Sequence, residues 1–535
     1  MIEKILSKKS YTITGAAIVI GTASFVSKII ALARDRIFAH YFGAGDVMDA
    51  YYAAFKIPDL VFNLLIVGAL SAGFIPIFLE LLNKDKKEAW KVTNTMINIL
   101  GILLIVSCTI LIFFTPQFLK LLVPGFSGDK FQLTVMLSRI MFVSPILLGI
   151  SSIVSGVLQS FKAFLIYSLS PIMYNLGIII GALFLVPIFG NQGLAMGVVL
   201  GALFHLLIQI PAFIQHGFKY QAIFDWKNKN VRKIFKLMLP RTLGMATLQI
   251  NFLAITIIAS TLSSGSLSIF NFADNIQSVP TSIIGISFAI AIFPALSQMA
   301  TNKENKKMIK HISETIKQIF FLIIPLTIIL IMLRAQIVRV ILGTGEFDWD
   351  ATRLTFNALG IFAISLFAQS LIPILSRSFY ALQDTMTPLI ISIISTIINI
   401  ILAVYLSTNY GILGLIFAYS ITMIFQFGLL WLLLRNKLGT LQEKKIFISV
   451  LKISIAAIIM AIFIQTFKVL LSSIVDMDRF WGVLLQVSIS ATIGLLIYGF
   501  ICHQLKLREM HLFHESFKKR WLKLRNVDTG INNNI

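Results

Sequence analysis

Long apolar segments recur from one end of this chain to the other. Two examples are "GILLIVSCTILIFFT", which starts at Gly101, and "IISIISTIINIILAVYL", which starts at Ile390. A helix needs about 20 apolar residues to cross the hydrocarbon core of a bilayer. Backbone groups in lipid must be satisfied within their own segment, so such segments cross as helices. The sequence therefore predicts an all-α polytopic membrane protein.

Fourteen apolar segments are long enough to be spans. They lie near residues 14–36, 47–79, 92–115, 132–158, 165–187, 193–214, 237–262, 270–298, 316–336, 354–381, 386–407, 411–434, 447–468 and 482–502. The composition agrees, because 57% of the residues are hydrophobic and 13% are charged, against about 25% charged in soluble domains. The first segment has no small-residue cleavage site before Lys28, so we interpret it as a retained span.

Basic residues are concentrated in alternate connecting segments, and the formal net charge is +22. The basic segments are 83–91, 218–236, 302–311, 435–445 and 514–525, whereas 189–193, 263–268 and 407–411 have almost no cations. The positive-inside rule places the basic segments and both termini in the cytoplasm, which requires an even number of spans. No basic stretch is interleaved with stacking aromatic residues on a polar domain, so we expect no nucleic-acid partner.

An internal repeat relates the two halves of the chain. "SFKAFLIYSLSP" at 160–171 resembles "SFYALQDTMTP" at 378–388, and "NQGLAMGVVLG" at 191–201 resembles "NYGILGLIFAY" at 409–419; in both pairs the starts are 218 residues apart. A six-helix offset preserves orientation, so the halves would be parallel repeats related by a pseudo-two-fold axis. That arrangement predicts a substrate site between the halves.

The repeat and the charge pattern predict five regions. They are an N-terminal lobe of spans 1–6 (1–215), a cytoplasmic basic loop (216–236), a C-terminal lobe of spans 7–12 (237–435), spans 13 and 14 (436–504) and a cytoplasmic basic tail (505–535).

Motifs of soluble enzymes do not occur in this sequence. There is no Walker loop, HExxH or GxSxG motif, and the seven histidines form no ligand cluster. Cys108 and Cys502 lie far apart in apolar runs, which is typical of small core or lipid-facing residues and not of a disulfide or metal site. We therefore expect a transporter that is not an enzyme, with no metal and no cofactor.

Charged residues lie unusually close to the first two apolar segments. The candidate substrate-binding residues are Lys28, Arg34, Asp35, Asp49 and Lys56. One interpretation is that Arg34, Asp35 and Arg36 snorkel to the outer interface. Snorkelling does not explain Lys28 and Lys56, which lie deeper in their spans. The other interpretation is a cationic cavity for a phosphate-bearing substrate, to which arginine can donate bidentate hydrogen bonds.

Three motifs carry a resemblance to a known family. They are "SKIIALARDRIFAHYFGAGDVMDAYYAAFKIPDL" with "GALSAGFIPIF" (68–78), "FADNIQSVPTSIIGISFAIAIFPALS" (272–297) and "RSFYALQDTMTP" (377–388). Together they resemble the MurJ (MviN) lipid II flippases of the multidrug/oligosaccharidyl-lipid/polysaccharide exporter superfamily. The resemblance implies a two-lobed protein of the bacterial cytoplasmic membrane that moves lipid II outward by alternating access for peptidoglycan synthesis.

The resemblance assigns the cavity cations of span 1 to Lys28 and Arg34, and their acidic partners to Asp35 and Asp49. Several family residues are replaced in this chain. Phe62, Asn63 and Asn275 stand where arginines are expected, Val67 where a glutamate is expected, and Ile255 and Ala403 where sodium-binding acids are expected, with Asn399 retained. The cavity would thus be less cationic than in the family, and a family-type sodium site is not expected.

The sequence predicts a flippase in which Lys28 and Arg34 bind the diphosphate, Asp35 and Asp49 orient them, and Lys56 adds positive field. The drive would be an ion or the membrane potential, and the partners would be lipid II, membrane lipids and cell-wall synthesis proteins. Three alternatives stay open. They are a flippase for another polyprenyl-diphosphate glycan, a cation-coupled drug antiporter of the same superfamily, and a scaffold that binds a lipid-linked precursor without transporting it.

Overall fold

The computed structural model describes residues 13–67 and 73–510, and all regular structure in these ranges is helical. The helices are α1 (Ile13–Phe42), α2 (Asp46–Phe62), α3 (Ile75–Lys84), α4 (Lys86–Leu122), α5 (Gly128–Met141), α6 (Val143–Ser160), α7 (Phe164–Ile180), α8 (Val186–Phe189), α9 (Gln192–Leu207), α10 (Ile210–Gln215), α11 (Lys229–Ser260), α12 (Ser266–Pro280), α13 (Ser287–Thr301), α14 (Asn305–Met332), α15 (Arg334–Ile341), α16 (Trp349–Ile364), α17 (Leu366–Ala381), α18 (Met386–Leu438), α19 (Glu443–Ser472) and α20 (Phe480–Gln504). The π-helical turns Asn63–Val67, Gly181–Leu185 and Thr281–Ile286 continue α2, α7 and α12. The predicted all-α fold is confirmed, and most of the predicted tail 505–535 lies outside the described residues.

The described helices have the length and hydropathy of a multi-pass membrane protein. In the described part of the chain, nine helical segments could cross a bilayer, and some of them consist of consecutive helices. The count is ten if α16 and α17, which are bent by 45° relative to each other, form one span. Helix α18 has 53 residues but contains Gly411 with φ 56° and ψ −138°, which separates two helices at a kink. At about 1.5 Å per residue, α18 is much longer than one bilayer crossing requires. Gly411 ends the predicted turn at 407–411, and the count of fourteen spans stays a prediction.

The chain forms two compact units. Unit A comprises the described residues of Met1–Ile276, Ile341–Ala358 and Ser392–Tyr419, and unit B those of Gln277–Val340, Leu359–Ile391 and Ser420–Ile535. The five predicted regions, with lobes at 1–215 and 237–435, remain a prediction. Helix α11 already begins at Lys229, within the predicted loop 216–236.

Close backbone packing defines the core of unit A. Helices α7 and α9 approach so closely that a Cβ atom on Gly177 would collide with the backbone of Gly201, and one on Gly197 would lie 2.7 Å from the Cα atom of Gly181. Glycines four residues apart commonly permit such approach between membrane helices. Helix α1 packs against α7. The glycines of α7 and α9 therefore help to position the charged residues of α1.

In unit B, the last two described long helices pack on α14. The buried core there includes Phe321, Met460, Tyr498 and Cys502, and the Tyr498 hydroxyl donates to the Phe321 carbonyl oxygen at 2.7 Å. Cys502 and Cys108 are both buried and free. The pair α19–α20, which falls outside the sequence repeat, is thus an integral part of unit B.

Candidate functional site

Helix α1 places Arg34 and Asp35 in a cluster that joins three helices of unit A. Arg34 Nε and Nη2 donate to Asp35 Oδ1 at 3.1 and 2.8 Å, and Arg34 Nη1 donates to Asn175 Oδ1 on α7 at 3.1 Å. Asn275 on α12 donates from Nδ2 to Asp35 Oδ2 at 2.8 Å. A guanidinium has five N–H donors, so two donors of Arg34 are not used in these bonds. The cluster holds the guanidinium in place and leaves it able to bind an anion.

Lys28 lies on the same face of α1 as Asp35, because seven residues make about two helical turns. Lys28 and Arg34 both lie within α1, which is one helix over this range. The Lys28 ammonium interacts electrostatically with Asp274, Arg34 and Asp35. Lys28 thus joins the Arg34–Asp35 cluster through the helix face that it shares with Asp35 and through these charge interactions.

Lys56 reaches the same region from α2. Its ammonium lies 5.8 Å from the centroid of the Phe252 ring on α11 and interacts electrostatically with Asp59 and Asp274. Asp274 on α12 therefore interacts with both candidate lysines. Sequence reasoning missed this role of Asp274, although a carboxylate beside an asparagine in an apolar span was the signal that could have revealed it.

Cations and carboxylates balance in this cluster. Its cations are Lys28, Arg34 and Lys56, and its carboxylates are Asp35, Asp59 and Asp274. A balanced group of charges costs less inside a membrane than an excess of one sign. Because the charges balance, an anionic ligand would bind the two N–H donors of Arg34 that these bonds do not use, and not an excess of positive charge.

Asp49 lies in a second cluster, with other partners. Its Oδ2 atom accepts from Lys130 Nζ and from the Gly265 backbone N–H, both at 2.8 Å. Its Oδ1 atom accepts from the Ser268 N–H at 2.8 Å and from the Ser268 hydroxyl at 2.6 Å. Asp49 is 2% exposed. It therefore caps the first turn of α12, and the predicted substrate-binding role of Asp49 stays a prediction.

Three turns meet beside Asp49. They are the α1–α2 turn, the turn before α12 and the segment between α15 and α16. A Cβ atom on Gly265, which has φ 86°, would collide with the Ala44 carbonyl, and one on Gly345, which has φ 58°, would collide with the His40 carbonyl. The Glu346 N–H also donates to the His40 carbonyl oxygen at 3.0 Å. Through these backbone contacts the three turns pack directly against one another, and we call this region the glycine seam.

Asn275 and Asn63, which stand where the family pattern has arginines, and the retained Asn399 have local partners. Asn275 binds Asp35, and Asn63 Nδ2 donates to the Asp59 carbonyl oxygen at 2.8 Å. Asn399 Nδ2 donates to Asn251 Oδ1 at 2.7 Å, and both asparagines are buried. In the described ranges no group of three or more His, Cys, Asp or Glu residues is placed to hold a metal ion.

Solved structures define the class of this fold. An inward-facing multidrug resistance MATE family transporter of the MOP superfamily is 17% identical, with a TM-score of 0.67 over 80% of this chain and 99% of that chain. A structure described as lipid II flippase MurJ in an inward closed conformation is 26% identical, with a TM-score of 0.75 over 91% of this chain and 99% of that chain. The helices thus have the fold of these multi-pass membrane transporters.

Sequence comparison identifies the family within this class. The family model for lipid II flippase MurJ matches residues 38–485, so the chain belongs to that family. A probable lipid II flippase MurJ of Rickettsia prowazekii is 30% identical over 427 residues, which cover 78% of this chain and 83% of the relative. The corresponding protein of Buchnera aphidicola subsp. Acyrthosiphon pisum is 29% identical over 503 residues, which cover 92% and 97%.

Proposed function

We propose that this protein moves lipid II from the cytoplasmic to the outer leaflet of a bacterial cytoplasmic membrane for cell-wall synthesis. Membership of the lipid II flippase MurJ family over residues 38–485 supports this function. The observation that carries it in the structure is Arg34, which bonds Asp35 and Asn175 and has two N–H donors that these bonds do not use, while Asn275 bonds the other oxygen of Asp35. No bond is made or broken in the proposed transport, so the protein acts as a transporter and not as an enzyme.

Arg34 would donate its two available N–H groups to the diphosphate, and Lys28 and Lys56 would contribute positive charge. Asp35 and Asn175 would keep the guanidinium oriented, which lowers the entropy cost of binding. The sugar–peptide head group would stay hydrated, and the polyprenyl tail would remain in lipid.

Alternating access requires contacts that exist in one state and open in another, because a ligand moves the protein only through a difference in affinity between states. The glycine seam and the Asp49 cap of α12 are such contacts. We assign them to the outer side, with both termini in the cytoplasm, because the flanking segments 263–268 and 343–350 lack basic residues. The membrane potential, worth about 2.3 kcal/mol per charge per 100 mV, would drive transport without a cofactor.

The test is complementation of a strain depleted of its own flippase, with outward lipid II measured directly. We expect the wild-type chain to restore export, Arg34→Ala to abolish it and Arg34→Lys to retain part of it. Arg353→Ala is the matched control, because Arg353 is an exposed arginine of unit A. The amount of protein in the membrane is measured for each variant. Full export by a normally abundant Arg34→Ala variant would contradict the assignment of Arg34.

A second candidate substrate is another polyprenyl-diphosphate glycan. The observation that favours it is Asn275, an amide that binds Asp35 where the family pattern has an arginine. The same strain separates the two, since a flippase for another glycan would not restore lipid II export. It would instead restore surface glycan in a strain that lacks the flippase for that glycan.

A further inference from the structure

One face of α2 leads from the glycine seam to the Arg34 cluster. Asp49, Tyr52, Lys56 and Asp59 follow one another at intervals of three or four residues, as neighbours on one side of a helix do. Exposure rises along this face, because Asp49 is 2% exposed, Tyr52 is 8% exposed, Lys56 is half-buried and Asp59 is exposed. An exposed carboxylate within a span faces water and not lipid. The face is therefore closed beside the seam and open to water at Asp59.

Tyr52 lies on this face at the edge of the Arg34 cluster. Its ring packs edge-on against the Phe272 ring of α12, with centroids 5.8 Å apart and ring planes at 89°. Phe272 lies about one turn before Asn275, which donates to Asp35. The Tyr52 hydroxyl interacts electrostatically with Asp35 and Arg34. The ring contact and the charge interactions thus place the phenol beside the same residues.

The Tyr52 hydroxyl is buried and has no hydrogen-bond partner among the described residues. Burial of an unpaired hydroxyl costs free energy, and native structures leave few buried polar atoms unpaired. A phenylalanine would fill almost the same space without this cost, so packing alone does not account for the hydroxyl. A ligand at the Arg34 cluster would supply the acceptor that the protein does not.

The donors of Arg34 indicate which group of a ligand this hydroxyl would meet. The bonds to Asp35 and Asn175 leave one N–H on Nη1 and one on Nη2 unused. Two such donors match one phosphate, which accepts from a guanidinium in a bidentate pair. A diphosphate has a second phosphate, and a phenol hydroxyl can donate one hydrogen bond to it. Arg34 and Tyr52 together therefore offer a donor to each phosphate.

We propose that Tyr52 donates its hydroxyl to the second phosphate of a lipid-linked diphosphate whose first phosphate is bound by Arg34. The hydroxyl makes the site select a diphosphate over a monophosphate, because a monophosphate leaves this buried donor unpaired. The ligand reaches Tyr52 from the hydrated end of the face at Asp59, since the contacts of Asp49 close the other end. This inference rests on the proposed function for the class of ligand.

The experiment measures the binding of two lipids to the purified full-length protein in detergent micelles. Undecaprenyl diphosphate and undecaprenyl monophosphate have the same chain and differ only in the second phosphate. We expect Tyr52→Phe to bind the diphosphate about tenfold more weakly than the wild type, as for one lost hydrogen bond to a charged group, and to bind the monophosphate equally well. Tyr405→Phe changes an exposed tyrosine of unit A and should leave both affinities unchanged.

Thermal unfolding without lipid separates this role from a structural one. An unpaired hydroxyl predicts that Tyr52→Phe unfolds at or above the midpoint temperature of the wild type, whereas a hydroxyl bonded within the protein predicts a lower midpoint. A lower midpoint, or equal affinity of Tyr52→Phe and the wild type for the diphosphate, would overturn the proposal. Equal weakening for both lipids would also overturn it, because the hydroxyl would then not select the second phosphate.

Arg34→Ala, measured in parallel, distinguishes failure of this inference from failure of the proposed function. It should weaken the binding of both lipids. If Arg34→Ala weakens binding and Tyr52→Phe does not, only the role of Tyr52 is wrong. If the wild type binds neither lipid, both the role of Tyr52 and the proposed function are contradicted.

Discussion

Ser268 donates both its backbone N–H and its hydroxyl to one carboxylate oxygen of Asp49, at 2.8 and 2.6 Å. The two residues are 219 positions apart in the chain. The other oxygen of Asp49 accepts from Lys130 and from the Gly265 N–H. One buried carboxylate therefore ties α2, the start of α5 and the start of α12 together.

Replacing Asp49 should destabilise the protein. In Asp49→Ala, Lys130 keeps only Asp46, which lies 2.7 Å from it, and the first N–H groups of α12 lose their acceptor. We expect the free energy of unfolding to fall by about 3 kcal/mol, as for breaking a buried ion pair. Denaturant unfolding in detergent micelles measures this. Asp129→Ala, at an exposed position one residue before Lys130, is the control and should change stability by about 0.5 kcal/mol or less.

The surroundings of two glycines predict opposite effects when each is replaced by alanine. Gly197→Ala places a Cβ atom 2.7 Å from the Gly181 Cα atom, and overpacking of this kind costs about 1–3 kcal/mol. Gly101 on α4 has nothing within 4 Å of its added Cβ atom, so Gly101→Ala should stabilise its helix by up to about 1 kcal/mol. Thermal unfolding of both variants measures the difference, and an unchanged Gly197→Ala variant would contradict the backbone contact.

Charge repulsion at Asp35 should impair transport. Asn275→Asp replaces the amide that donates to Asp35 at 2.8 Å with a second carboxylate, which disturbs the acceptor of the Arg34 guanidinium. We expect lipid II export to fall at least about tenfold in the flippase-depleted strain, since two like charges at contact cost several kcal/mol in a low dielectric. Asn409→Asp makes the same change at an exposed position and should retain export.

Stability at acid pH should depend on Asp384, in the turn between α17 and α18. Burial raises the pKa of Asp384, but hydrogen bonds from Lys437 and from Thr387 lower it more, to about 2. This pKa lies below the unfolded value of about 3.9. The stabilisation from the Asp384 carboxylate is therefore complete above about pH 4 and is lost as the pH falls toward 2.

Unfolding measured at pH 7 and at pH 3 checks the role of Asp384. Asp384→Asn should be less stable than the wild type at pH 7, and the difference should shrink at pH 3. Asp350→Asn, at an exposed position, is the control. A difference that stays constant between the two pH values would show that the carboxylate charge does not stabilise the turn.

The apolar segments by themselves determined that this is an all-α membrane protein. A backbone in lipid can satisfy its hydrogen bonds only within its own helix, and that constraint is local to each segment. Arg34 and Asp35 are neighbours in the chain, and the sequence alone also indicated that charges beside the first two spans are unusual. The sequence motifs also resemble those of the lipid II flippases, and the family match confirms this relationship.

Only the tertiary structure decided which groups meet. Asn175 reaches Arg34 from 141 residues away, and Asn275 reaches Asp35 from 240 residues away. Asp49, whose predicted role in orienting the cations of α1 stays a prediction, binds Lys130 and caps α12. These partners depend on which faces of two helices are in contact. Between α7 and α9, the contacting faces carry glycines, which permit close approach of the two backbones. Hydropathy and charge describe each helix separately, whereas a site built from three helices depends on how they pack.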